Sequence, residues 1–178
     1  MMNSLAVAAA VEALGASLEA CLSALADVVP PAGRGARSEI ALRGGALLLI
    51  DESYNANPAS MAAALANLGA VPRTQFARRI AVIGDMRELG AEADELHRNL
   101  APAIEAAGAD LVFACGEHMA ALYDALPNSR RGGYARTSLE LVALLKAQIQ
   151  PGDALMIKGS LGTNMAPLVK CVRDINRA

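Results

Sequence analysis

Apolar runs at 45–50, 79–83, 110–114 and 154–157 are each followed by a polar or Gly-containing turn and then by a stretch with helical spacing. Runs this continuous describe strands buried on both faces, and such strands pair in parallel only when helices cover both sides of the sheet. With right-handed crossovers the expected fold is α/β, a Rossmann-like mostly parallel sheet with helices on both faces. The pattern predicts a short strand at 38–42 and a further strand near 133–136. Helices are predicted at about 58–68, 91–107, 117–126, 138–148 and 164–176.

The first 29 residues do not share this alternation. Met2 to Leu14 is Ala-rich and reads as a helix ending at Gly15, and Ser17 caps a second one. Pro30-Pro31 and Gly33-Arg34-Gly35 then break the pattern. A helical pair this apolar, without a sheet of its own, requires a partner surface. The chain is 54% hydrophobic but only 3% aromatic, so its core is built from Ala, Leu, Val and Ile.

Composition excludes several classes. A formal net charge of −2 gives no electrostatic case for nucleic acid or for an anionic membrane. Cys21, Cys115 and Cys171 are far apart, with no zinc-type spacing, as in a reduced cytoplasmic protein. The stretch 5–16 is interrupted by Glu12, lacks a basic flank and is too short to span a bilayer, so membrane insertion is not expected.

In a doubly wound sheet, ligands bind beyond the carboxyl ends of the strands. Those ends carry Asp51-Glu-Ser-Tyr-Asn-Ala-Asn57-Pro58, Gly84-Asp85-Met86, Cys115-Gly116 and Lys158-Gly159-Ser160. Local roles account for part of this: Asn57 as an N-cap, Pro58 at the first helical position, Asp51 capping exposed amides. They do not explain why Asp51, Tyr54 and Asn55 crowd one turn. Asp85 and Glu88 make a carboxylate pair with no Cys or His close in sequence, which favours a pocket-shaping loop over a metal site. His97, mid-helix, reads as a surface or packing residue, and His118 as structural.

Residues 51–61 (Asp-Glu-Ser-Tyr-Asn-Ala-Asn-Pro-Ala-Ser-Met), then Gly84-Asp-Met-Arg-Glu-Leu-Gly90 with Leu96-His97-Arg98, then Lys158-Gly-Ser160, resemble the Mur ligase family. The likeness is to the branch that joins D-alanyl-D-alanine to a UDP-N-acetylmuramoyl tripeptide, and it extends in order over nearly the whole chain. It implies that 1–33 are the closing helices and linker of a central ATPase domain, and that 34–178 are the carboxyl-terminal domain. By the same resemblance Asn3, Arg34 or Arg37, Asp51, Tyr54 and Asn55 would face nucleotide. Asn57, Asp85, Met86, Lys158, Gly159 and Ser160 would face the amine substrate. Leu161 stands where an arginine often follows Lys-Gly-Ser in this branch, so no arginine contact is expected there.

The resemblance further implies ATP and Mg²⁺ as cofactors, a carboxylate activated as an acyl phosphate, and attack by the dipeptide amine. Such a reaction requires electrostatic support for phosphoryl transfer and an amine held on target. The 178 residues contain no Gly-rich segment ending in Gly-Lys-Thr/Ser, so the ATP-phosphate loop would lie ahead of Met1 and the chain is expected to be inactive alone. The full enzyme is expected to be monomeric, with the shorter chain self-associating through its first helices. The alternative is a stand-alone Rossmann-like module that binds a nucleotide or peptide without catalysis.

Overall fold

The computed structural model describes residues 2–28 and 31–176, which divide into two compact units between residues 30 and 31. In the first unit, α1 (Met2–Ala13) is followed by α2 (Leu18–Ala26). The Ser17 hydroxyl accepts the Ala20 amide proton at 3.2 Å, giving the expected N-cap. Within this unit no α2 residue is buried, and Leu5, Val7, Leu14 and Leu22 are exposed.

The second unit runs β1 (Ala36–Leu42), β2 (Gly45–Glu52), α3 (Pro58–Gly69), β3 (Arg78–Gly84), α4 (Ala93–Arg98), α5 (Ala101–Ala106) and β4 (Leu111–Cys115). It continues with α6 (Met119–Ala125), β5 (Arg131–Ala135), α7 (Ser138–Lys146), β6 (Asp153–Lys158) and α8 (Ala166–Arg173). The six strands lie in the order β1-β2-β6-β3-β4-β5. Only β1, hairpinned to β2, is antiparallel. The mostly parallel sheet expected from the apolar runs is therefore present.

Alternate side chains along each strand enter opposite cores, as strand pleating requires. Ile50, Ile83, Ala114 and Met156 pack with Leu65 of α3, Ile104 of α5 and Leu122 of α6. Leu49, Val82, Phe113 and Leu155 pack with Leu141 of α7 and Leu168 of α8. Thus β2 and β3 lead to helices on one face, while β6 between them leads to α8 on the other. That reversal opens a crevice at the carboxyl end of β6, where Lys158 lies level with Glu52 and Ile83.

Two helices differ from the sequence pattern. The stretch 91–107 is two helices rather than one, because Pro102 has no amide proton to continue the ladder. The last helix starts at Ala166 and not at 164, because Asn164 adopts a left-handed φ of 51° after a tight turn over Leu161–Thr163. Among the described residues no helix is long and apolar enough to cross a membrane.

Candidate functional site

Register brings the ends of β2, β6, β3, β4 and β5 level, so their following turns form one polar rim. Gly84, the last residue of β3, and Gly159, the first residue after β6, let this rim close. A Cβ on Gly159 would lie 2.7 Å from Met165 Cγ, and one on Gly84 2.6 Å from Met165 Sδ. Met165 fills the space that the two glycines leave.

The Lys158–Ser160 turn divides the rim. On the β3–β5 side lies a cleft of about 730 Å³, walled by the 85–90 loop, the 116–118 turn, Tyr134, Arg136 and Gly162. Asp85 is buried here and receives the amide protons of His118 (3.4 Å) and Met119 (2.9 Å) at the start of α6. Its backbone carbonyl accepts from the Ser160 amide and the Thr163 hydroxyl, each at 3.0 Å. Met86 is likewise buried. Asp85 and Met86, two of the six residues expected to face the amine substrate, thus act first as the cleft's wall.

That wall is pinned by a histidine. His97 is fully buried; its Nε2 accepts the Met86 amide proton at 2.9 Å, and its Nδ1 lies 2.6 Å from the Ala93 carbonyl. A carbonyl only accepts and an amide only donates, so the proton sits on Nδ1 and the ring is neutral. Asp85 Oδ1, at 3.8 Å, is beyond hydrogen-bond reach of Nε2. His97 therefore packs, as one of the two sequence expectations had it, and holds the loop as well.

His118 joins the same wall from outside. Its Nδ1 lies 2.7 Å from Asp94 Oδ1, and its ring stacks on His97 with centroids 5.5 Å apart. The bond to Asp94 raises the His118 pKa above the ordinary imidazole value. The sign follows: the contribution is full below the unfolded-state value near 6.5 and is lost as pH rises through the higher folded-state value. At a half-exposed site it is small. An NMR titration of His118 should give a midpoint above the reference value, and Asp94→Asn should bring it back.

On the other side of the turn, Asp51 is buried. Its Oδ1 accepts from the Ser53 hydroxyl at 2.6 Å and the Ser53 amide at 3.2 Å, and its Oδ2 takes the Arg173 guanidinium at 3.1 Å. Arg173, 122 residues away at the end of α8, carried no signal in the sequence. These residues border a cleft of about 450 Å³ that also includes Tyr54, Leu161 and Val169.

A third cleft, about 270 Å³, gathers Arg34, Glu52, Tyr54, Asn55, Asn57 and Lys158. The Arg34 guanidinium sits 4.0 Å above the centre of the Tyr54 ring. Arg37, by contrast, is in β1 opposite Ile50 and outside these clefts. Asn57 is the N-cap of α3 in a capping box with Ser60, as expected, and Asn55 turns its side-chain oxygen to the Ala56 amide. The Lys158 ammonium donates to the Asn55 carbonyl at 2.8 Å, and burial lowers its pKa. Ser160 Oγ receives the Arg87 amide at 2.9 Å, tying the turn to the 85–90 loop. The Asn3 side chain is outside the described residues.

Among the described residues no group of three or more His, Cys, Asp or Glu side chains is placed to hold a metal ion. Burial and nearby Asp85 push the Cys115 thiol up to about 12, so it is a core residue and not a nucleophile.

Residues 36–161 match the family model described as Mur ligase, glutamate ligase domain. The chain is 34% identical, over 97% of its length, to UDP-N-acetylmuramoyl-tripeptide–D-alanyl-D-alanine ligase of Escherichia coli K12, of which it spans 36%. It superposes on a MurF crystal structure from Acinetobacter baumannii with a TM-score of 0.80 at 28% identity, covering 97% of this chain and 37% of that one. MurF from Thermotoga maritima, in complex with ADP, has the same fold (TM-score 0.74, 20% identity, covering 96% of this chain and 37% of that one). With the matched segment running from the edge strand through the Lys158–Ser160 turn, the chain belongs to the Mur ligase family.

Proposed function

We propose that this chain is the carboxyl-terminal part of an ATP-dependent amide ligase that adds D-alanyl-D-alanine to a UDP-N-acetylmuramoyl tripeptide in peptidoglycan precursor synthesis. The observation that carries the reading is the end-to-end match to relatives bearing that name, with the matched turns collected on one sheet edge. Because the chain spans about a third of those relatives, the activity belongs to a longer protein. On this reading residues 1–33 complete a central ATPase domain and 34–178 form the domain that presents the amine. ATP and Mg²⁺ are bound mainly by protein outside these residues, and the reaction is cytoplasmic.

Within the domain, the roles divide across the Lys158–Ser160 turn. Arg34 and Tyr54 present a cation and an aromatic face to nucleotide, with Asp51 holding their turn through Ser53 and Arg173. The larger cleft, walled by Asp85 and Met86 and stitched by Ser160, receives the dipeptide. Its rim carries Arg87, Arg136, Glu88 and Glu117, so both ends of a zwitterion have an opposite charge available. Asn3 remains a proposed adenine-side residue and Arg37 a secondary candidate for phosphate.

The test is phosphate release with ATP, UDP-N-acetylmuramoyl tripeptide and D-alanyl-D-alanine. It compares this chain with one extended upstream through a P-loop domain. Activity only in the extended protein is expected, with a further loss in Asp51→Ala. An extended chain that folds and binds ATP but releases no phosphate would remove the substrates from this reading. Peptide or nucleotide binding by the short chain alone would then favour a non-catalytic module.

A further inference from the structure

The larger cleft is lined by one group whose charge changes near neutral pH, His118. Its Nδ1 lies 2.7 Å from Oδ1 of Asp94, a residue outside the cleft lining. A carboxylate only accepts, so Nδ1 keeps its proton in both the neutral and the charged ring. Titration of His118 therefore takes place at Nε2, which makes no hydrogen bond among the described residues. Neutral, Nε2 is an acceptor; charged, it is a donor. Two further contacts fix the residue: its ring stacks on buried His97 with centroids 5.5 Å apart, and Asp85 receives its amide proton at 3.4 Å. Asp94 from α4 does most to favour the donor form; slight burial works against it, and Asp85 and Glu117 add to it. His97 is neutral, with both nitrogens committed. Across the cleft, Arg87 and Arg136 stay charged in this range, Glu88 opposes them, and the Tyr134 hydroxyl is spent on the Gly116 carbonyl.

We propose that the Asp94–His118 pair is a proton-coupled clasp for a ligand carboxylate: His118 binds it as an imidazolium, through Nε2–H, and the cleft takes up a proton as it fills. This rests on the reading of the larger cleft as the dipeptide site and adds the group that recognises the peptide's free carboxyl end. Arg87 and Arg136 attract an anion at every pH. His118 presents an acceptor when neutral and a donor when charged, so it alone in this lining makes recognition depend on protons. One proton passes from solvent to Nε2 and is then shared with a carboxylate oxygen. A bound carboxylate raises the His118 midpoint above its value in the empty cleft, so affinity is greatest below the empty-cleft value. It falls as pH rises from the empty-cleft to the filled-cleft midpoint and is level beyond. Asp94 already holds the empty-cleft midpoint above the ordinary imidazole value, which places the fall above about pH 6.5.

The experiment is an NMR titration of this chain with D-alanyl-D-alanine from about pH 6 to about pH 9, following amides and the His118 ring in the parent, His118→Gln and Asp94→Asn proteins. Shifts are expected at the Glu88, Glu117 and His118 amides, and the His118 midpoint should rise when the cleft is saturated. The ratio of parent to His118→Gln affinity, in which the peptide's own amine titration cancels, should fall about three- to tenfold across this range, the scale of one half-exposed charged hydrogen bond. In Asp94→Asn the fall should come at lower pH. The dipeptide's carboxamide should give a flat ratio; an equal fall with it overturns the proposal. Cleft shifts with an unmoved His118 midpoint, or with a ratio constant in pH, also overturn it and leave the dipeptide in the cleft. No shift at these amides at any pH removes the dipeptide from the cleft and the proposal with it. The midpoint is read on the parent protein, so it decides the matter even if His118→Gln does not fold.

Discussion

Replacing Gly116 with alanine is expected to destabilise the protein by about 3–5 kcal/mol, combining left-handed backbone strain with overpacking. Gly116 has φ +119°, a conformation side-chain-bearing residues rarely adopt, and a Cβ there would lie 2.2 Å from Asp85 Cγ. Asp85 cannot step aside, because its carboxylate receives the first amides of α6 and its carbonyl anchors Ser160 and Thr163. The strain would therefore pass into the wall of the larger cleft. Urea unfolding should show a lower midpoint with an unchanged slope. A midpoint within error of the parent would mean that Asp85 is not fixed as described. Gly152, also at positive φ but with nothing near its Cβ, is the control; its alanine variant should lose only the backbone part.

Replacing His97 with leucine is expected to cost about 3–5 kcal/mol, because it strands the Met86 amide and the Ala93 carbonyl in a dry interior at about 1–3 kcal/mol each and alters packing. His97→Gln and His97→Asn separate the two bonds. Glutamine can offer an acceptor near Nε2 and so keep Met86, while asparagine can offer a donor near Nδ1 and so keep Ala93. If the ring fixes the 85–90 loop, the Met86 amide should stay protected from hydrogen exchange in the glutamine variant and lose protection in the asparagine variant. Equal protection in both would reduce His97 to a space filler.

The strands were legible because burial on both faces writes itself as unbroken apolar runs, as at Leu47–Ile50 and Ala154–Ile157. The N-caps at Ser17 and Asn57 follow from local chemistry within three residues. The break at Asn99–Leu100 was also encoded, in Pro102, but the flanking helical spacing masked it. The partners of Asp51 and His97 were of another kind. Whether a mid-helix histidine faces water or a loop depends on what packs over it, and Arg173 meets Asp51 only because α8 returns across the end of β2.

By itself, then, the sequence determined the α/β class, the sheet edge on which polar turns collect, and the family through three ordered turns. Those properties arise from short-range periodicity and from segments read one at a time. The tertiary structure alone decided how the turns are shared out. Strand order put β6 between β2 and β3, so one lysine turn divides the rim into separate clefts. It brought Arg34 and Lys158, 124 positions apart by their numbers (158 − 34), around a single cleft, and it made Asp85 a helix cap before anything else. Hydrogen-bond commitments of this sort depend on distances across the fold, which no local pattern specifies.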